Sequence, residues 1–196
     1  MYSLHVHRQL PGWRKSKIVL DDHGHEVYFA KPHRGSQSSI ELHLSENEEN
    51  PVVAELRTNL LMTKYELYFG ETKHELQPGS NSKHGQLTWS IPNCPKQFRW
   101  GERDDKSSNG VMNRTHSNLQ LVEVGSETVV ASLAPNRRKF AKTEMGELLI
   151  DERYHTELGS DFERGVILLA LSYLERVKRR ATGAGAAAAA GGVVAC

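Results

Sequence analysis

The stretch Leu158-Gly-Ser-Asp-Phe-Glu-Arg-Gly-Val-Ile-Leu-Leu-Ala-Leu-Ser-Tyr-Leu-Glu-Arg-Val-Lys-Arg-Arg180 decides the fold. Ser160 stands three residues before Glu163, the capping-box spacing that satisfies two orphan backbone donors at a helix start. A helix over 161–180 follows, about 30 Å long at ~1.5 Å per residue. Val166 to Leu171 makes it apolar on every side, and Tyr173, Leu174 and Val177 continue the apolar surface. Charge is confined to its ends, with Glu163 and Arg164 before the apolar middle and Glu175, Arg176, Lys178, Arg179 and Arg180 after it. A helix that is hydrophobic all round must be surrounded. The uncharged run from Gly165 to Leu174 is about half of the ~20 residues that cross a bilayer. Protein, not lipid, is therefore the expected surrounding.

Everything upstream reads as strand. Leu4-His-Val6 begins the pattern; Ile18-Val-Leu20 and Glu26-Val-Tyr-Phe29 flank the Gly-containing turn Asp21-Asp-His-Gly24, a hairpin signal. Ser39 to Leu44 alternates cleanly, with Ile40, Leu42 and Leu44 on one face. Further strands are expected at Pro51–Leu56, Lys64–Phe69, Leu87–Ile91, Phe98–Gly101, Asn118–Val124, Thr128–Leu133, Lys139–Ala141 and Gly146–Ile150. Polar or Pro/Gly-rich loops are expected at 45–50, 77–85 and 103–117. About a dozen strands at this spacing belong to an all-β sandwich or barrel. Residues 181–196 are Ala/Gly-rich with little to bury, and read as a disordered tail. The chain is thus one domain over 1–180 plus that tail, and the expectation is a monomer.

The net charge of the 196 residues is +1, so no global field favours nucleic acid, and no nucleic-acid partner is expected. Two cysteines, Cys94 and Cys196, are no disulfide framework and suit a reducing compartment. The first residues lack a basic-then-apolar signal pattern, which points to the cytoplasm, with peripheral membrane association as a further expectation.

The order of elements resembles the tubby C-terminal-like superfamily, which includes the tubby proteins, the LURP-one-related plant proteins and the phospholipid scramblases. Ile18-Val-Leu-Asp-Asp-His-Gly-His-Glu-Val-Tyr28 is similar to the early hairpin of the smaller fungal and plant members. Phe98-Arg-Trp100-Gly, Leu119-Gln-Leu121 and Val130-Ala131 are similar to their middle pattern. Gly146-Glu-Leu-Leu-Ile150 followed by Val166 to Arg176 resembles their last strand and helix. The resemblance implies a closed antiparallel barrel of about twelve strands around the central hydrophobic helix. It transfers no headgroup residues, and the Pro-rich region and calcium-binding segment of the scramblases are absent from this sequence.

Motifs for catalysis are missing: there is no Gly-x-Ser-x-Gly elbow, phosphate-binding loop or Gly-x-Gly-x-x-Gly after a strand. Cys94 lies in the turn-like Pro92-Asn-Cys-Pro95, near His84 and Lys96 in sequence only. His5-x-His7 places two imidazoles on one strand face and His23-Gly-His25 spans a turn, yet nothing fixes a third metal ligand. No cofactor and no metal are expected. Three basic clusters remain: Trp13-Arg-Lys-Ser-Lys17, Asn136-Arg-Arg-Lys139 and Arg176-Val-Lys-Arg-Arg180. Arg14, Lys15, Lys17, Arg137, Arg138 and Lys139 are the candidate contacts to anionic phospholipid headgroups or a membrane surface. The last cluster also complements the negative end of the helix dipole. The functional expectation is a non-enzymatic module that binds anionic lipid such as phosphoinositide. The alternative is a protein-interaction or structural module with no lipid ligand, the former with an unidentified protein partner.

Overall fold

The computed structural model describes residues 2–8, 16–33, 37–44, 50–59, 64–78, 86–91, 94–102, 119–135 and 144–190. Twelve antiparallel strands close into one barrel. They are β1 (Tyr2–Arg8), β2 (Lys17–Leu20), β3 (Glu26–His33), β4 (Gln37–Leu44), β5 (Val52–Asn59), β6 (Tyr65–Phe69), β7 (Thr72–Pro78), β8 (Leu87–Ser90), β9 (Gln97–Glu102), β10 (Leu119–Glu123), β11 (Val129–Pro135) and β12 (Glu144–Ile150). Neighbours in sequence are neighbours in space, and β1 closes the ring against β12, with Leu4 opposite Leu148. Closure removes the unpaired edges that would otherwise invite aggregation. Helix α1 (Glu152–Ala190) follows the last strand.

Alternation sets the inside. Leu4 and Val6 of β1 are buried while His5 and His7 lie on the opposite face of the strand. One inner row runs Ile150–Ala131–Leu121–Trp100–Leu87 across β12 to β8. From Phe162 to Glu175 the helix is buried on all sides apart from the half-buried Arg164, which is the enclosure expected from its sequence. Trp89 and Trp100 both point into this core. The Phe162 ring stacks on Trp89 with centroids 5.7 Å apart and planes 4° from parallel. Gly165 lies beneath the same indole, and a Cβ there would stand 2.4 Å from its Cη2.

The helix differs from expectation at both ends. It begins at Glu152, and Gly159 interrupts it with φ 76° and ψ −172°, a conformation open essentially to glycine alone. A short segment, 152–158, therefore precedes the break, and its buried Tyr154 packs beside Phe98 and Phe162 before the chain threads the barrel. The break falls where Ser160 announces a helix start. Glu163, however, turns its carboxylate to β1 and β3 instead of back along the helix. At the far end the helix continues to Ala190, ten residues past the expected 180, so the expected disordered tail gives way to helix over 181–190. The alanines there have the highest helix propensity of any residue and outweigh Gly183 and Gly185.

One strand is added to those expected, and one expected strand is not described. β7 was not anticipated, because Thr72-Lys-His-Glu-Leu-Gln-Pro78 is almost wholly polar and only His74 and Leu76 face inward. The strand expected at Lys139–Ala141 lies outside the described residues.

Lys17 corrects a functional expectation. It shares an inner row with Ala30, Leu42 and Ala54, is 1% exposed, and pairs with Glu175 at 2.9 Å. Its ammonium is therefore turned to the helix and is withdrawn from the set of lipid contacts. Buried pairs of this kind are costly to break singly and cheap to replace together. Lys17→Met should lower stability by about 3–5 kcal/mol, and the double variant Lys17→Met/Glu175→Leu should recover most of it. Chemical denaturation of the three proteins measures both effects.

Candidate functional site

The barrel has two rims of different chemistry. β1 runs from the Tyr2 rim to the Arg8 rim, and successive strands alternate direction. The connections 21–25, 45–51, 70–71, 91–96 and 124–128 start and end at the Tyr2 rim, and with the segment 151–161 their sequences contain eleven Asp/Glu and two Lys/Arg. The segments 9–16, 34–36, 60–64, 79–86, 103–118 and 136–143 start and end at the Arg8 rim. With 176–180, which continues the helix beyond the Lys17–Glu175 pair, they contain sixteen Lys/Arg and two Asp/Glu. Within a net charge of +1, the segments that leave and re-enter the barrel at its two rims thus differ in sequence, one set rich in Lys/Arg and the other in Asp/Glu.

Of the predicted lipid contacts, Arg14, Lys15, Arg137, Arg138 and Lys139 lie outside the described residues. The strand ends that bracket them are described. Arg8 is opposite Lys17 at the ends of β1 and β2, Pro135 is opposite Gly146 near the ends of β11 and β12, and β12 adjoins β1. The two basic segments accordingly spring from adjacent strand pairs on one rim.

The Tyr2 rim holds a polar cluster that sequence reading missed. Tyr2 and Tyr28 donate their hydroxyls to Glu163, the second at 2.7 Å, and the Nδ1 of His155 lies 2.9 Å from the same carboxylate. Glu163 is 7% exposed, and the two hydroxyl donors from β1 and β3 compensate its burial, with His155 of the 152–158 segment close by. Burial, reinforced by the Glu163 carboxylate, pushes both tyrosines far above the usual phenol range. They remain donors at neutral pH and cannot serve as bases. The legible signal was parity: Tyr2 shares the inward register of Leu4 and Val6, and Tyr28 that of Ala30.

The 152–158 segment is tied down elsewhere too. The Tyr154 hydroxyl donates to Glu123 at 2.6 Å, and burial together with that carboxylate pushes its pKa up to about 12. Lys96 pairs with Glu157 at 2.6 Å and lies 4.9 Å from the Tyr154 ring centre. Asp151 accepts from the backbone and guanidinium of Arg153. Inside the mouth, His74 packs edge-on against Phe69 at 5.0 Å, and burial lowers its pKa, partly countered by Asp161.

The catalytic and metal candidates do not assemble. Ser3 and Asp22 both approach the Nε2 of His5, at 3.3 and 3.8 Å. A relay needs nucleophile and orienting carboxylate on different ring nitrogens. His23 and His25 flank a turn in which Asp21 accepts from both backbone amides, its pKa lowered chiefly by the His25 amide. Among the described residues no group of three or more His, Cys, Asp or Glu could hold a metal ion. Cys94 is half-buried, and nearby Lys96 is engaged by Glu157. Also among the described residues, no helix is long and apolar enough to cross a membrane. Comparison with known proteins matched no family model, no curated protein and no solved structure.

Proposed function

We propose that this barrel is a non-enzymatic, tubby-like module that docks its Arg8 rim on anionic phospholipid, with phosphoinositide as the preferred headgroup. The observation that carries the reading is the strand order, by which the segments that start and end at the Arg8 rim, with 176–180, hold sixteen Lys/Arg in sequence and those of the Tyr2 rim eleven Asp/Glu. Each cation near an anionic surface contributes about 1 kcal/mol. That attraction fades beyond a Debye length of ~8 Å at physiological salt. Only the charges at the contacting end count, so segregation matters more than net charge. Arg14, Lys15, Arg137, Arg138 and Lys139 are the proposed contacts, with Arg176 to Arg180 adding to the same end. The acidic rim would be repelled, which gives the docked molecule one orientation.

Vesicle co-sedimentation tests this. Phosphatidylcholine vesicles containing phosphoinositide should retain the protein at physiological salt, and pure phosphatidylcholine should not. Arg137→Ala/Arg138→Ala/Lys139→Ala should weaken retention by about two orders of magnitude, following ~1 kcal/mol per charge. Equal retention on both vesicles, or an unchanged triple variant, would sink the proposal.

A further inference from the structure

We infer that residues 176–190 of α1 form a helical spike that enters the membrane when the Arg8 rim docks, ending among the acyl chains of the facing leaflet. This rests on the lipid reading of that rim and adds what the docked molecule does to the bilayer.

The path of the helix carries it. Glu163 meets Tyr2 at one rim, and further along the same helix Glu175 pairs with Lys17 at 2.9 Å. Lys17 is opposite Arg8 at the ends of β2 and β1, so Glu175 marks the level of the Arg8 rim. The backbone stays helical from there to Ala190. Residues 176–190 therefore project about 22 Å past the rim, at ~1.5 Å per residue. The barrel wall encloses the helix from Phe162 to Glu175 and sets the direction in which it leaves.

Two lengths then decide where it goes. Attraction between the rim and an anionic surface fades beyond ~8 Å at physiological salt. A projection of about 22 Å that stayed in water would hold the rim well outside that range and cancel the docking. With the rim inside it, at least about 14 Å of helix lies past the membrane surface. The headgroup region of one leaflet is about 5–8 Å deep and the hydrocarbon core ~30 Å thick. The helix end thus reaches the acyl chains and goes no further than about the bilayer centre.

The sequence suits that depth. Arg176, Lys178, Arg179 and Arg180 come first after the rim, at the level of the phosphates, and no residue from Ala181 to Cys196 has a charged side chain. A helix satisfies its own backbone donors and acceptors, the condition for leaving water. Residues 181–190 are Ala, Gly and Thr only, and they fall far short of the ~20 apolar residues that cross a bilayer. The spike is an anchor in one leaflet, not a crossing.

Fluorescence quenching on vesicles tests it, with co-sedimentation of the same samples. The full chain carries a dye at Ala188→Cys in a Cys94→Ser/Cys196→Ser background. The control is Val124→Cys at the Tyr2 rim, where Val124 is 41% exposed. On phosphatidylcholine vesicles containing phosphoinositide, brominated acyl chains should quench the dye at 188 and aqueous iodide should not; the control should show the reverse. Ala188→Leu, which changes no charge, should strengthen retention about tenfold through the apolar surface it adds. Retained protein whose dye at 188 stays open to iodide overturns the spike and leaves the lipid reading standing. Unchanged retention of Ala188→Leu does the same. No retention on phosphoinositide vesicles overturns both.

Discussion

Leu169→Asp should abolish the cooperative thermal transition. Leu169 lies mid-helix, 2% exposed, with strands on every side. The substitution removes a packed side chain, which alone costs ~2–5 kcal/mol. It then places a carboxylate where water cannot reach, at a cost of several more kcal/mol unless the group stays protonated. The sum approaches the whole stability of a domain, ~5–15 kcal/mol. Circular dichroism on heating gives the result, with Leu169→Met as control at under ~1.5 kcal/mol. A melting temperature within about 3 °C of the parent would show that the helix is not the centre of the core.

Gly165→Ala should destabilise although alanine is the better helix former. Propensity favours the change by about 1 kcal/mol. Against it stands the Trp89 ring, 2.4 Å from the new Cβ and held from moving by Phe162 stacked on it. Overpacking in a filled core costs ~1–3 kcal/mol, and more where the neighbour cannot shift. With the indole held in place the upper end of that cost applies, and a net loss of about 2 kcal/mol follows, a fall in melting temperature of roughly 4–8 °C. Trp89→Phe shortens the side chain that meets the new methyl. The double variant Gly165→Ala/Trp89→Phe should therefore lose less than the sum of the singles. Additive losses would place the clash elsewhere.

These two residues show what was legible. The uniform apolarity of 166–171 demanded enclosure, and the recurring short alternating runs supplied a barrel to provide it. Gly165 carried no such signal, since its closeness to Trp89 depends on how far the helix slides into the barrel. β7 escaped notice because its inward positions are His74 and Leu76, too little apolar alternation to register. Lys17 was misread for a related reason. Ile18, Val19 and Leu20 are all apolar, so the run does not reveal which parity faces inward. Pairing with β3 settles it, placing Lys17 beside Ala30 and Ile18 outside. The tyrosine bonds of the Glu163 cluster join residues 135 and more positions apart, and no local pattern announces such a meeting. The charge of the basic segments was plain in the sequence, but their shared rim required the strand order.

The plug follows every stave of the barrel in the chain. During synthesis β1 through β12 are made before residues 162–175, which fill the space they surround. Until that stretch clears the ribosome, the ring has no interior to close upon, and its first strand waits for the twelfth across some 140 residues. Pairings of such long sequence separation form slowly and leave apolar strands open to other nascent chains. Chaperone capture should therefore peak after the last strand has emerged and fall when the helix arrives.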